Sequence, residues 1–230
     1  MEQLVFDLLP PEPPSLANFL SGRNAEAVAA CARLASGDAS EAGLFLWGAR
    51  GAGKTHLLRA AIASATERGV AAAYVGDPGA LVASDPERLA ANSVVAVDAI
   101  ESAGAQAQGR LFTLFNALQA AGHRFIGAAN VAPAAIDVRE DLRTRLGSCL
   151  IYEIAPLADD EKPTALVSYA RGRGFVIPDD VIRYLLAHGR RDMPALLAAL
   201  AALDRHSLAT RRPITVPMLR GWLQRDIGLG

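Results

Sequence analysis

Cysteine is scarce: Cys31 and Cys149 are the two in 230 residues. They lie far apart, with no CxxC or Cys/His ligand spacing. That excludes a disulfide scaffold and a zinc module, and it fits a reducing cytoplasm. Histidine is nearly as rare, and His56, His123, His188 and His206 are scattered rather than grouped as metal ligands. No window approaches the roughly 18 consecutive apolar residues of a membrane helix. Excess charge of either sign is missing too: 23 basic against 24 acidic side chains leave a net charge of -1. No overall basic field draws the chain to nucleic acid or a membrane surface, so any such contact must be local. The reading is of a soluble, cytoplasmic protein. What is abundant is apolar residue content, 51% against 20% charged, enough to bury one large domain or a large and a small one.

The opening "MEQLVFDLLPPEPP" lacks a basic n-region. Its apolar run is shorter than the roughly 7 to 15 residues of an export signal, and it contains Asp7. Beyond the prolines, "NAEAVAACARLAS" has helical character and stops at Gly37. Short apolar runs then alternate with amphipathic stretches. The runs are Leu44 to Trp47, Val70 to Val75, Ser93 to Asp98, Arg124 to Asn130 and Cys149 to Ile154. The stretches between them include "KTHLLRAAIASATER" and "GRLFTLFNALQAAG", with a further short helix between Pro78 and Asn92. Such alternation predicts an α/β fold with a mostly parallel five-stranded sheet covered on both faces. From Asp159 onward only helical segments follow, predicting a small all-helical second domain. The expected division is an N-terminal peptide and Pro-rich linker over 1–14, an α/β domain over 15–157 and a helical domain over 158–230.

Between the first strand and its helix lies GARGAGKT, Gly48 to Thr55, which satisfies GxxxxGK[ST]. Glycines let backbone N–H groups turn inward around phosphate oxygens, Lys54 neutralises the outer phosphates, and the Thr55 hydroxyl can ligate magnesium. The helix that starts here adds its positive dipole end. Gly48, Gly51, Ala52, Gly53, Lys54, Thr55 and His56 are therefore the expected nucleotide contacts. The buried strand "VVAVD" ends in Asp98, which is placed to hold the magnesium with Thr55. The next position is Ala99, where hydrolysing relatives carry a second acidic residue; Glu101 lies three positions beyond Asp98. Nucleotide binding is thus expected to exceed nucleotide turnover. Asn130, at the end of the fourth strand, is the candidate to reach the terminal phosphate or its water.

P-loop, acidic strand end, polar strand end, arginine-bearing segment and helical lid, in that order, resemble the AAA+ ATPases. "SLANFLSGRNAEAV" (15–28) looks like the entry segment of the DnaA branch of that family, and "DLRTRLGSCLIYEIAPLADDEK" (141–162) is similar to its arginine-finger segment and passage into the lid. The layout, an isolated AAA+ core with a short apolar N-terminal peptide, resembles the family of DnaA regulatory inactivators (Hda). The resemblance implies a P-loop AAA+ core plus helical lid, ADP or ATP with Mg2+ as cofactors, and no sequence-specific DNA binding. It implies two partners, the replication initiator DnaA and the DNA polymerase III beta sliding clamp, with a homodimer as a further state. Arg145, with Arg143 as second choice, would be the arginine finger presented in trans to the nucleotide of DnaA, where such a residue accelerates hydrolysis by about 10³- to 10⁵-fold. Own ATPase would be weak. Gln3, Leu4, Phe6 and Leu8 resemble a clamp-docking peptide, held off the body by prolines that extend about 3 Å per residue. Phe6 and Asp7 depart from the usual pattern, and packing of this peptide on the chain's own body is the other reading. In the lid, Pro194 stands where the family presents a nucleotide-sensing arginine; proline supplies no donor. Asp192 before it is expected to cap the helix. The rival readings are a helicase loader of the DnaC type and a nucleotide-stabilised adaptor that stimulates no hydrolysis.

Overall fold

A computed structural model describes residues 13–37, 41, 43–190 and 192–227. Gln3, Leu4, Phe6 and Leu8 lie outside the described residues. The chain forms two compact units, one over Pro13–Pro156 and one from Leu157 onward.

The first unit is built on five parallel strands: β1 (Gly43–Trp47), β2 (Ala72–Val75), β3 (Val94–Val97), β4 (Arg124–Ala129) and β5 (Leu150–Glu153). They are ordered β2-β3-β4-β1-β5. The helices are α1 (Ala25–Ser36), α2 (Lys54–Glu67), α3 (Pro86–Leu89), α4 (Ala105–Ala120) and α5 (Glu140–Gly147). Side chains alternate between the two faces of a strand, and here both faces are apolar because both are covered. Leu44 and Leu46 of β1, Val94 and Ala96 of β3, and Ile126 and Ala128 of β4 pack with Ala30, Leu34, Leu57 and Leu58 of α1 and α2. Their neighbours Phe45, Val95, Val97 and Phe125 face the other way, onto Leu111, Leu114, Phe115 and Leu118 of α4 and Leu142 and Leu146 of α5. Phe115 and Phe125 meet edge-on, with ring centroids 5.2 Å apart. The edge strand β5 half-buries alternate residues, Leu150 and Tyr152, and Ile151 is exposed.

Element boundaries differ from the sequence expectation by one residue at ends of β1, β3, β4 and β5, and by more in β2 and α4. The second strand starts at Ala72, paired with Val94 at the start of β3, and the Val94 N–H donates to the Ala71 carbonyl just before it at 3.2 Å. The helix expected at Gly109 begins earlier, at Ala105, with Gly104 as its N-cap. Gln108 in its first turn donates from its amide to the Ala103 carbonyl at 2.8 Å.

The second unit holds α6 (Lys162–Gly172), α7 (Asp179–His188), α8 (Met193–Thr210) and α9 (Val216–Ile227) around its own core of Leu166, Val181, Leu185, Leu196, Leu200 and Leu219. Arg173 and Asp204 form a buried ion pair at 3.3 Å within it. Asp192 caps α8 by accepting from the Ala195 N–H at 3.0 Å, with Pro194 in the first turn. Arg190 pairs with that same aspartate at 3.1 Å. Among the described residues no helix is long and apolar enough to cross a membrane.

Candidate nucleotide site

Three parallel strands end side by side, and each delivers one part of the site. β1 leads into the loop Gly48–Thr55, β3 ends at Asp98 and β4 ends at Asn130. Parallel sheets of this kind bind ligands beyond the carboxyl ends of their strands. The loop fits a phosphate group because its glycines sit where no side chain can. Gly48 has φ +151, and a Cβ there would lie 2.4 Å from the Ile154 carbonyl oxygen. Gly53, with φ +106, is the N-cap of α2 and lies against the Phe19 ring. Ala52 is buried and donates its N–H to the Ala49 carbonyl at 3.1 Å, and Gly51 completes the turn between them.

Lys54 is buried to 8% exposure. Its ammonium donates to the carbonyls of Gly48 (2.7 Å) and Ala49 (3.0 Å) and to Asn130 Oδ1 (3.0 Å). Burial pulls its pKa below the ordinary lysine value, while the carboxylates of Glu101 and Asp98 act in the opposite direction. Thr55 donates its hydroxyl to Asp98 Oδ2 at 2.6 Å. Tyr74 donates to that same oxygen at 3.0 Å, and the Ala99 N–H donates to Asp98 Oδ1 at 2.9 Å. Asp98 is thereby fixed beside the Thr55 hydroxyl. The two would hold a magnesium ion, a cation that usually takes one or two protein ligands and fills the rest of its octahedron with phosphate and water.

His56 follows on α2. Its Nε2 donates to the Ser15 carbonyl at 3.1 Å, and its ring lies 5.4 Å from that of Phe19. Burial lowers its pKa, with the Ser15 bond opposing. The entry segment is itself braced: the Ser15 N–H donates to Asn18 Oδ1 at 2.9 Å, and the Asn18 N–H returns to Ser15 Oγ at 3.1 Å. Asn24 then exchanges two 2.9 Å bonds with the Ala155 backbone just past β5. Phe19 and His56 thus form an apolar and aromatic flank to the loop.

Asn130 uses both ends of its amide. Oδ1 accepts from Lys54, and Nδ2 donates to Glu101 Oε1. Glu101 is a site residue that its position in the sequence did not assign. It arrives through Ala99, a non-glycine residue in the left-handed region at φ +50, and the 3-10 turn Ile100–Ser102. Tyr74 was also missed; its hydroxyl reaches Asp98 from β2, and the Arg59 guanidinium lies 5.0 Å from its ring centroid. Burial, the largest influence, raises the Tyr74 pKa. Its signal was an isolated polar-tipped aromatic in an otherwise aliphatic strand.

The structure brings together Gly48 to Thr55, Asp98 and Asn130. Arg145 and Arg143 stand elsewhere, on α5, and differ in freedom. Arg143 donates to Glu140 Oε2 at 2.8 Å and to the Val138 carbonyl at 3.0 Å, with its Nε buried. Arg145 is exposed, its guanidinium 6.0 Å from the centroid of the Phe112 ring.

Residues 159–223 match the family described as Hda, lid domain. The chain is similar to the crystal structure of domain III of the replication initiation protein DnaA from Thermotoga maritima, at 19% identity and a TM-score of 0.82. That match covers 95% of this chain and 98% of the other. AMPPCP-bound DnaA from Aquifex aeolicus aligns at 21% identity and a TM-score of 0.72, over 86% of this chain and 66% of its own. The Thermotoga maritima RuvB Holliday junction branch migration motor aligns at 16% identity and a TM-score of 0.67, over 92% and 72%. At these identities the solved structures establish the fold.

Proposed function

Starting from a chain that is an Hda/DnaA-type AAA+ protein, we propose that it regulates replication initiation by binding adenine nucleotide, docking on the sliding clamp and stimulating hydrolysis of the ATP held by DnaA. The observation that carries the reading is an Hda lid domain following a core with a complete P-loop. In the chain's own site, Lys54 and the loop N–H groups would take the phosphates, and Thr55 and Asp98 the magnesium. Bound nucleotide supplies the charge that the Lys54 ammonium matches.

The action on DnaA belongs to α5. An arginine supplied across an interface stabilises charge on a transferring phosphoryl group and needs a guanidinium free to leave its own surface. Arg145 meets that requirement, being exposed with its guanidinium 6.0 Å from the centroid of the Phe112 ring. Arg143 does not, since two of its nitrogens are committed to Glu140 and Val138. The residues assigned to clamp docking are Gln3, Leu4, Phe6 and Leu8, where a few apolar anchors must carry the affinity.

The test is single-turnover hydrolysis of ATP pre-bound to the cognate DnaA, with clamp loaded on DNA. The full chain is compared with Arg145→Ala, Arg143→Ala and a Gln3/Leu4/Phe6 triple alanine variant. We expect acceleration by about 10³-fold or more, lost in Arg145→Ala and in the triple variant and largely kept in Arg143→Ala. A wild-type chain that leaves the DnaA-bound ATP untouched sinks the proposal.

A further inference from the structure

Asp98 is held from three directions, and the three donors are not alike. Oδ2 accepts from the Thr55 hydroxyl at 2.6 Å and from the Tyr74 hydroxyl at 3.0 Å, while Oδ1 accepts from the Ala99 N–H at 2.9 Å. The aspartate is 7% exposed, and a carboxylate that deep needs such partners. Thr55 is the donor whose hydroxyl a magnesium ion would also take as a ligand. The Ala99 N–H belongs to the turn that follows β3. Tyr74 reaches Oδ2 from a separate strand and has no second duty at the metal.

That reach is built into the sheet. Tyr74 stands opposite Ala96 in the ladder between β2 and β3, and Asp98 follows two residues after Ala96, on the same face by the alternation of a strand. The Asp98 N–H donates to the Val75 carbonyl at 2.9 Å, which carries the pairing up to the aspartate itself. A phenol spans the offset between positions 74 and 98, where a serine or threonine would stop short. The ring is steadied as well. The Arg59 guanidinium of α2 lies 5.0 Å from its centroid, a cation–π contact, and the ring packs with the core on the α2 side of the sheet. At Gly76 a Cβ would come within 3.1 Å of the Tyr74 Cε1, so glycine leaves the space that the ring fills.

We propose that Tyr74 is a positioning residue for magnesium, its hydroxyl fixing the Asp98 carboxylate beside Thr55 before the metal arrives. The inference rests on the reading that Thr55 and Asp98 hold magnesium with the bound nucleotide. Without the Tyr74 hydroxyl, Oδ2 keeps Thr55 as its donor, the same group that must then serve the metal, and the carboxylate turns more freely about its Cβ–Cγ bond. Partners that orient a metal ligand from behind are worth about 10- to 100-fold in metal affinity. Nucleotide phosphates draw on Lys54 and the loop N–H groups, which Tyr74 does not supply. The effect therefore belongs to the metal and not to the nucleotide.

The test is isothermal titration of the full chain with ADP, in EDTA and across a series of MgCl2 concentrations, for wild type, Tyr74→Phe and Tyr74→Leu. Thermal unfolding without ligand verifies the fold of each. The quantity read is the Mg2+ concentration that gives half of the magnesium-dependent gain in ADP affinity. Tyr74→Phe keeps the ring beside Arg59 and removes the hydroxyl. It should raise that midpoint about tenfold or more, with a smaller loss of ADP affinity in EDTA than at the wild-type midpoint. Tyr74→Leu should shift the midpoint at least as far. A midpoint unmoved in either variant, or ADP weakened equally in EDTA and in Mg2+, overturns the proposal while leaving the magnesium reading standing. A wild-type chain whose ADP affinity does not respond to Mg2+ removes the magnesium reading, and this inference with it.

Discussion

At Gly48 the strand hands over to the loop in a space closed by backbone. The Ile154 carbonyl oxygen would lie 2.4 Å from an added Cβ, and φ is +151, a region that side chains of L-residues rarely enter. A methyl group there meets main chain and not the movable end of a side chain, so the strand-to-loop junction must shift. Forcing volume into a packed site typically costs about 1–3 kcal/mol, and positive φ adds to that. Gly48→Ala is accordingly expected to lose about 2 kcal/mol or more of stability in urea unfolding and to lose ADP binding with it, since the Gly48 carbonyl also accepts from Lys54. A Gly48→Ala chain with unchanged midpoint and ADP affinity refutes this account of the loop. Gly37 offers the contrast: φ is +81 but nothing lies within 4 Å of its Cβ position, so substitution there carries backbone strain alone.

Among the elements, α8 shows how a departure from family pattern keeps its structure. Asp192 accepts the Ala195 N–H, and that bond, ahead of the Arg190 guanidinium, holds its carboxyl below the ordinary value of 3.8. A depressed folded pKa means that the ionised cap stabilises the fold above the unfolded value. The contribution is lost as pH falls through the folded pKa. Asp192→Ala should therefore cost about 1 kcal/mol at pH 7, with the gap to wild type closing below about pH 3.8, while Asp192→Asn keeps most of the cap. Urea melts read through Trp222 in a Trp47→Phe background check it, since Trp222 belongs to the helical core; a gap that persists undiminished in acid contradicts it. The cap was legible in sequence because Asp followed by Pro at a helix start is a local signal. The strands were legible for a similar reason: Leu44 to Leu46 and Val94 to Val97 are buried on both faces and so are apolar without interruption. The P-loop, with Asp98 and Asn130 at neighbouring strand ends, could be read because motif and strand end coincide. Glu101 could not, because its place depends on Ala99 adopting a left-handed turn, for which alanine gives no sequence cue. That the Glu140 and Val138 oxygens occupy the Arg143 guanidinium likewise could not be read from the sequence.

For the whole molecule, the consequence is a chain whose two units can be followed separately. The two tryptophans of the sequence divide between them: Trp47 packs on the sheet core and ends β1 just before the loop, and Trp222 packs in the helical core. The residues assigned to phosphate and magnesium all belong to Pro13–Pro156. A ligand that binds only the folded form stabilises it by RT ln(1 + [L]/Kd), about 2.7 kcal/mol at 100 times Kd. Saturating ADP with Mg2+ is therefore expected to raise the unfolding transition seen by Trp47 in a Trp222→Phe background by about that amount at that ratio. Lys54→Ala removes the ammonium that joins Gly48, Ala49 and Asn130 and should abolish the shift. Arg145→Ala, on the exposed face of α5, should leave it intact while losing the effect on DnaA. That pairing separates nucleotide binding at the chain's own loop from the proposed action on a partner's nucleotide. A Trp47 transition indifferent to ADP means that the loop, whatever its sequence, is not a nucleotide site; an Arg145→Ala chain that loses the ADP shift means that α5 serves the chain's own site and not a partner's.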